Sequence, residues 1–160
     1  MDEVIVFKYS DYKILNKKLL IEAKNTIYSW TDVTNIRGKM SEWYISGKYI
    51  NIIKNWIISL VQNKNNKTVW CTDCWYAKYD YGDHALLHNH GNVDLSFVYY
   101  VNTPKGSSPL VFPTLDKKIK AEEGNLVLFN GNLKHSVPKN NCKNRVIIAG
   151  NLNLITIIVS

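Results

Sequence analysis

A chain of 160 residues is long enough for one domain with a real core, burying roughly 70% of its unfolded surface, and 46% apolar with 21% charged residues excludes a disordered chain. The formal net charge of +7 is carried almost wholly by lysine spread over both halves, since Arg37 and Arg145 are the only arginines; without a concentrated arginine-bearing face, nucleic acid is not expected as a partner. No apolar run approaches the ~18 residues of a membrane span, and Met1–Val6 is too short and acidic for a secretory leader, so a cytoplasmic protein with no membrane partner is expected.

Two amphipathic helices are predicted first. Ser10 or Asp11 can cap a helix in which Tyr12, Leu15, Leu19, Ala23 and Ile27 recur every three or four residues. After Ser46-Gly47, the residues Tyr49, Ile50, Ile53, Trp56, Ile57, Leu60 and Val61 form a wider stripe that ends at the polar run Gln62 to Lys67. Both read as packing helices, with Trp56 in the core. From Thr68 the pattern changes to seven or eight short strands, among them Thr68 to Tyr79, Asp94 to Val101, Asn125 to Phe129 and Arg145 to Val159, separated by glycine, proline and asparagine clusters. Helices followed by many strands with no helix between them predict a mainly β sandwich or jelly roll braced on one face: a single domain over 1–160, helical over about 1–66 and β over about 67–160. Cys71-Thr-Asp-Cys74 has the spacing of a zinc or redox pair. No second pair exists, since Cys142 is the only other cysteine, and residues three apart on a strand face opposite sides, so Cys71 and Cys74 are read as two ordinary buried thiols.

Three of the four histidines, His84, His88 and His90, fall within seven residues. On an extended strand His88 and His90 share a face and can reach one metal ion, and Asp94 has the same parity. The fourth, His135, follows an apolar strand and an Asn130-Gly131 turn, an arrangement that can carry a distant ligand across a barrel mouth. Two imidazoles and a carboxylate on one face of an ion leave three positions open, which suits oxygen-activating iron better than structural zinc. Ten residues past His135, Arg145 stands in a strand otherwise made of Val146, Ile147, Ile148 and Ala149. A guanidinium there is costly unless an anion meets it, and its planar fork suits a carboxylate. His84 and Asp83 read as strand-entrance and turn residues. Of Tyr99 and Tyr100, one faces the pocket and the other the core, and Tyr100 shares the parity of Asp94 and Ser96.

In order and spacing these residues resemble a family. Tyr81-Gly-Asp83, His88-x-His90, Ser96-Phe-Val-Tyr-Tyr-Val-Asn-Thr-Pro104, Gly124-x-Leu-Val-Leu-Phe, His135-Ser-Val-Pro138 and Arg145 look like the small 2-oxoglutarate- and iron(II)-dependent oxygenases related to prolyl hydroxylases. The resemblance spans roughly Trp70 to Asn153. It implies a double-stranded β-helix of cupin-like jelly-roll type, and iron(II) near His88, His90, Asp94 and His135 with no catalytic residue beyond the metal site. It also implies 2-oxoglutarate at Arg145 with Tyr100 as a further pocket residue, and ascorbate as an auxiliary reductant. The implied activity is a dioxygenase, in particular a hydroxylase, acting on peptidyl proline, another protein side chain or a small molecule. Most members carry His-x-Asp or His-x-Glu where this chain has His88-Asn-His90, so the third ligand is His90 or Asp94, and Ile147 stands where a serine often helps bind the cosubstrate. Gly82, His88, His90 and Asp94 also match the first motif of cupins, so a cupin-type metalloenzyme that does not use 2-oxoglutarate is the alternative, ahead of a metal-free jelly-roll binding or virion protein. The sequence does not fix the oligomeric state or the substrate.

Overall fold

A computed structural model describes residues 4–156. The first strand, β1 (Val4–Lys8), leads into α1 (Tyr12–Lys24). Three two-residue strands follow, β2 (Trp30–Thr31), β3 (Ile36–Arg37) and β4 (Lys39–Met40), and then α2 (Lys48–Asn65). The remainder is β: β5 (Thr68–Tyr79), β6 (His84–His88), β7 (Leu95–Asn102), β8 (Leu110–Phe112), β9 (Lys117–Ile119), β10 (Asn125–Asn130), β11 (His135–Val137) and β12 (Arg145–Ile155). The end of the last predicted strand, residues 157–159, lies outside the described residues.

These strands form two sheets of antiparallel neighbours. The larger has the order β1-β10-β7-β12-β5-β4-β2 and the smaller β3-β6-β11-β8-β9. The result is a jelly roll of the double-stranded β-helix type with two bracing helices. The first 66 residues are not only a helical brace, because β1 extends the large sheet beside β10, β2 and β4 extend it beside β5, and β3 edges the small sheet.

The large sheet is covered on both sides, which is why its strands are apolar at successive positions rather than alternating. One face packs under the helices: Tyr76 of β5, Phe97 and Tyr99 of β7, Leu126 and Leu128 of β10 and Ile148 of β12 meet Leu19 of α1 and Ile50, Ile53 and Ile57 of α2. The other face looks into the roll, where Trp75, Ala77, Tyr79, Val98, Tyr100, Val127, Phe129, Ile147 and Ala149 meet Ala85, Leu110, Phe112 and Val137 of the small sheet.

Polar contacts fix the brace. Both carboxylate oxygens of Glu22 accept from the first amides of α2, Tyr49 and Ile50, each at 3.0 Å, and Oε1 also accepts from the Tyr76 hydroxyl at 2.9 Å. An acid at that helix start meets two unsatisfied N–H groups and the positive end of the dipole. On α1, Asn16 donates to the carbonyl of Tyr100 at 3.1 Å and accepts from the Tyr99 hydroxyl at 2.7 Å, so this helix grips the middle of β7. Asp11 precedes α1 as expected, but its side chain makes no capping bond.

Candidate metal and anion site

Three histidines converge at one end of the roll. One ligand atom from each of His88, His90 and His135 lies within 4.8 Å of the other two, a spacing that small side-chain rotations close around one ion at metal–nitrogen bonds of about 2 Å. Strand alternation alone does not bring them together. Val137 pairs with Ala85 and His135 with His88, so β6 uses three residue steps against two on β11. The additional residue is a bulge at Leu86 and Leu87, both of which face outward. It lets Ala85 and His88, three apart, face the same cavity. His90 lies beyond the end of β6, in a turn held by its own amide to the Gly131 carbonyl (2.8 Å) and by Val93 N–H to the His90 carbonyl (3.0 Å).

Local bonds leave the histidines ready as ligands. Nδ1 of His88 lies 2.6 Å from the Leu86 carbonyl and Nδ1 of His135 lies 2.9 Å from the Leu133 carbonyl. A carbonyl can only accept, so each Nδ1 carries the proton and each Nε2 presents a lone pair. Burial lowers the pKa of His135 to about 3 and that of His90 to about 4, and shifts His88 the same way, which keeps all three rings neutral. The His135 ring sits edge-on to Phe129 with centroids 4.7 Å apart, and Trp75 lies nearly parallel to His90 at 6.4 Å.

The structure does not bring Asp94 to this group. Asp94 is exposed, and its carboxylate accepts from Leu154 N–H at 2.7 Å while its own amide donates to the Asn153 side chain at 3.1 Å. It ties the start of β7 to the end of β12. His84 also stands apart, with Nδ1 3.1 Å from the Gly82 carbonyl, and Asp83 accepts from the Asp80 amide at 2.7 Å within the same turn.

Arg145 begins β12 and is fully buried. Its guanidinium carbon lies 4.5 Å from the centre of the Tyr79 ring and 5.6 Å from that of Tyr100, a cation held between two aromatic faces. Its Nε and Nη1 and the Tyr100 hydroxyl have no hydrogen-bond partner. Burial raises the pKa of both tyrosines against the opposing influence of the guanidinium, so both are neutral donors. The cavity containing Arg145, Tyr79, Trp75 and the three histidines is otherwise lined by apolar groups such as Ile36, Val98, Leu110 and Ile147, apart from Ser96, whose hydroxyl donates to Asn151 Oδ1 at 2.7 Å, with no carboxylate among its described lining residues. A buried cation with unused donors, facing neutral imidazoles, has the chemistry to receive an anion. Tyr100 packs on the inner face of the roll beside Arg145 and Tyr99 faces α1, as their opposite parities require. Tyr79 and Trp75 were not singled out from the sequence; they enter the cavity because β5 registers against β12 as Tyr79↔Arg145 and Trp75↔Ala149, a pairing of strands some 70 positions apart.

The cysteine pair needs a correction. Asn151 pairs with Asp73 and Leu152 with Cys71, so Thr72 is an extra residue in β5 and the bulge turns Cys71 and Cys74 to the same side, toward the helices. Turned to one side, the two thiols lie close enough to hydrogen-bond each other, and both are free.

No protein-family model and no functionally curated protein matches the chain. Solved structures do. The viral collagen prolyl hydroxylase of Paramecium Bursaria Chlorella virus-1, in its 2OG complex, superimposes with a TM-score of 0.76 at 18% identity, covering 94% of this chain and 96% of that one. The fold is that of the small 2-oxoglutarate- and iron(II)-dependent oxygenases related to prolyl hydroxylases. A Trichoplax adhaerens prolyl hydroxylase in complex with a hypoxia inducible factor oxygen degradation domain peptide fragment matches at 0.71 and 17% identity over 96% of this chain and 84% of that one. A Pseudomonas putida prolyl-4-hydroxylase matches at 0.70 and 12% identity over 94% and 92%.

In this oxygenase-like roll the position of His90 depends on glycine. Gly131 accepts from His90 N–H and donates to the Asp94 carbonyl at 3.1 Å, and a Cβ there would collide with the carbonyl oxygen of Val93. Gly131→Ala is therefore expected to cost about 1–3 kcal/mol of stability, as overpacking typically does. It should also loosen metal binding, because the backbone that yields is the one carrying His90. Urea unfolding read beside a metal titration checks both; unchanged metal affinity in a clearly destabilised variant would mean that the turn does not set the ligand.

Proposed function

We propose that the chain is a 2-oxoglutarate- and iron(II)-dependent dioxygenase of hydroxylase type. The observation that carries this reading is the convergence in one cavity of three neutral, ligand-competent imidazoles and a fully buried guanidinium with unused donors. His88, His90 and His135 would hold the iron, and Arg145 with Tyr100 would hold the far carboxylate of 2-oxoglutarate. When bound, the metal and the oxo acid supply the oxidising chemistry that converts 2-oxoglutarate and oxygen to succinate and carbon dioxide and hydroxylates a substrate.

The chain's own residues account for the rest. The Nδ1 bonds of His88 and His135 hold those rings with Nε2 free, Phe129 packs edge-on against His135, and Trp75 lies along one face of His90. Three neutral imidazoles leave a divalent ion's charge uncompensated, which together with Arg145 gives the cavity a positive field matched to a dianion. Arg145 separates this reading from a cupin-type metalloenzyme that uses no 2-oxoglutarate. A peptide substrate, with peptidyl proline as the leading candidate, is supported by the fold shared with prolyl hydroxylases, one of them in complex with a peptide.

Purified protein supplied with iron(II), ascorbate and 2-oxoglutarate is expected to release succinate, slowly without substrate and faster with an acceptor peptide. Succinate is measured by mass spectrometry. No succinate from protein with iron demonstrably bound would move the assignment to the cupin alternative.

A further inference from the structure

Five buried side-chain polar atoms among the described residues have no hydrogen-bond partner, and one of them, Asn51 Oδ1, lies on α2 away from the cavity. The other four are Arg145 Nε and Nη1, the Tyr100 hydroxyl and Trp75 Nε1. Buried polar groups in folded proteins are nearly always paired, so unpaired donors on Arg145 and Trp75, which line one cavity, and on Tyr100, packed beside the arginine, describe a ligand's acceptors. The first three belong to the anion end already assigned. Trp75 Nε1 does not.

Cross-strand register places it. Tyr79 of β5 pairs with Arg145 of β12, Ala77 with Ile147, and Trp75 with Ala149; on the other side of β12, Ile147 pairs with Tyr100 and Ala149 with Val98. Trp75 is thus four residues along β5 from the arginine row, roughly 13 Å, on the same inward face, with the small side chain of Ala77 between the two rows. At that end the indole is 3% exposed, lies 18° from parallel to the His90 ring, and meets the edge of Trp43 at 5.0 Å. The cavity therefore has donors at both ends, Arg145 at one and Trp75 beside the histidines at the other.

We propose that Trp75 is a specificity-determining residue whose Nε1–H hydrogen-bonds the carboxylate that a 2-oxo dicarboxylic acid presents at the histidine end while its other carboxylate is held by Arg145. This rests on the oxo-acid reading above. The indole would then select diacids of the right length: a diacid one carbon shorter, anchored at Arg145, does not bring its second carboxylate to Trp75. Succinate, the expected product, is such a diacid, so the contact that helps seat the cosubstrate is absent once it has been shortened.

The test uses zinc(II) as a diamagnetic probe metal and protein labelled with ¹⁵N-tryptophan. Adding 2-oxoglutarate is expected to move one indole N–H resonance downfield, assigned to Trp75 by its loss in Trp75→Phe and independently by its proximity to the His90 ring. Succinate should leave that resonance in place. Trp75→Phe keeps an aromatic ring against His90 and Trp43 and removes only the donor, so zinc affinity should hold while 2-oxoglutarate affinity falls about tenfold, the loss typical of one bond to a charged group, and succinate affinity is unchanged. If Trp75→Phe does not fold, the wild-type indole shift decides alone. Binding of 2-oxoglutarate with no indole resonance moving, or with equal affinity in Trp75→Phe, overturns the proposal and leaves the oxygenase reading standing. No binding of 2-oxoglutarate to the zinc-loaded wild type overturns both.

Discussion

Replacing His135 with alanine is expected to lower iron(II) affinity by on the order of 100-fold or more, since loss of a group that only orients a ligand already costs 10–100-fold. His135 is 4% exposed, its Nδ1 is fixed by the Leu133 carbonyl, and its strand lies between β6 and β8, so no neighbouring side chain can swing in to replace it. His88→Ala and His90→Ala should behave similarly. Asp94→Ala is the contrasting case: its carboxylate bonds the Leu154 amide, so the substitution should lower the melting temperature slightly and leave iron affinity unchanged. Anaerobic iron titration against a competing chelator measures all four. A large loss of affinity in Asp94→Ala, or none in His135→Ala, would sink the three-histidine assignment.

How much of this was legible in the sequence depended on whether the signal was local. The two helices and strands β5, β7, β10 and β12 showed themselves because a helical stripe or a run buried on both faces leaves a mark in consecutive residues. The histidines and Arg145 stood out by rarity, three of four histidines in seven residues and one of two arginines inside an apolar run. Strands of two residues, such as β2, β3 and β4, carry no periodicity to read. The bulges at Leu86–Leu87 and at Thr72 were likewise silent, because a bulge exists only relative to a partner strand. Parity counting consequently put His88, His90 and Asp94 on one face, whereas the bulge aims His88, a turn aims His90, and Asp94 faces solvent. Trp75 and Tyr79 looked like any aromatic residues in a strand until the register with β12 set them beside the histidines and the arginine.

That register also makes Arg145 the residue where stability and binding should part company. The guanidinium is fully buried with two of its nitrogens unpaired, so without a ligand it weakens the fold, and the π faces of Tyr79 and Tyr100 offset only part of its desolvation. Arg145→Met keeps most of the volume and removes the charge; the ligand-free variant is expected to be as stable as wild type or more so, as when buried charges elsewhere are replaced by apolar groups of similar size. Binding should respond in the opposite direction. Losing one partner of a buried charge pair costs about 2–5 kcal/mol, which is a fall of roughly 30- to 5,000-fold in 2-oxoglutarate affinity for Arg145→Met or Arg145→Ala. Arg145→Lys keeps the charge but loses the planar fork, so its loss should be smaller. Iron affinity should survive in every variant, because His88, His90 and His135 stand on β6, the turn beyond it and β11, while Arg145 stands on β12 in the opposite sheet. Anaerobic calorimetry with 2-oxoglutarate, paired with urea unfolding of the ligand-free proteins, separates the two effects. Equal 2-oxoglutarate affinity in wild type and Arg145→Ala would remove the reason for preferring an oxygenase to a cupin, and a marked loss of stability in ligand-free Arg145→Met would mean that the arginine is held for the fold rather than for an anion.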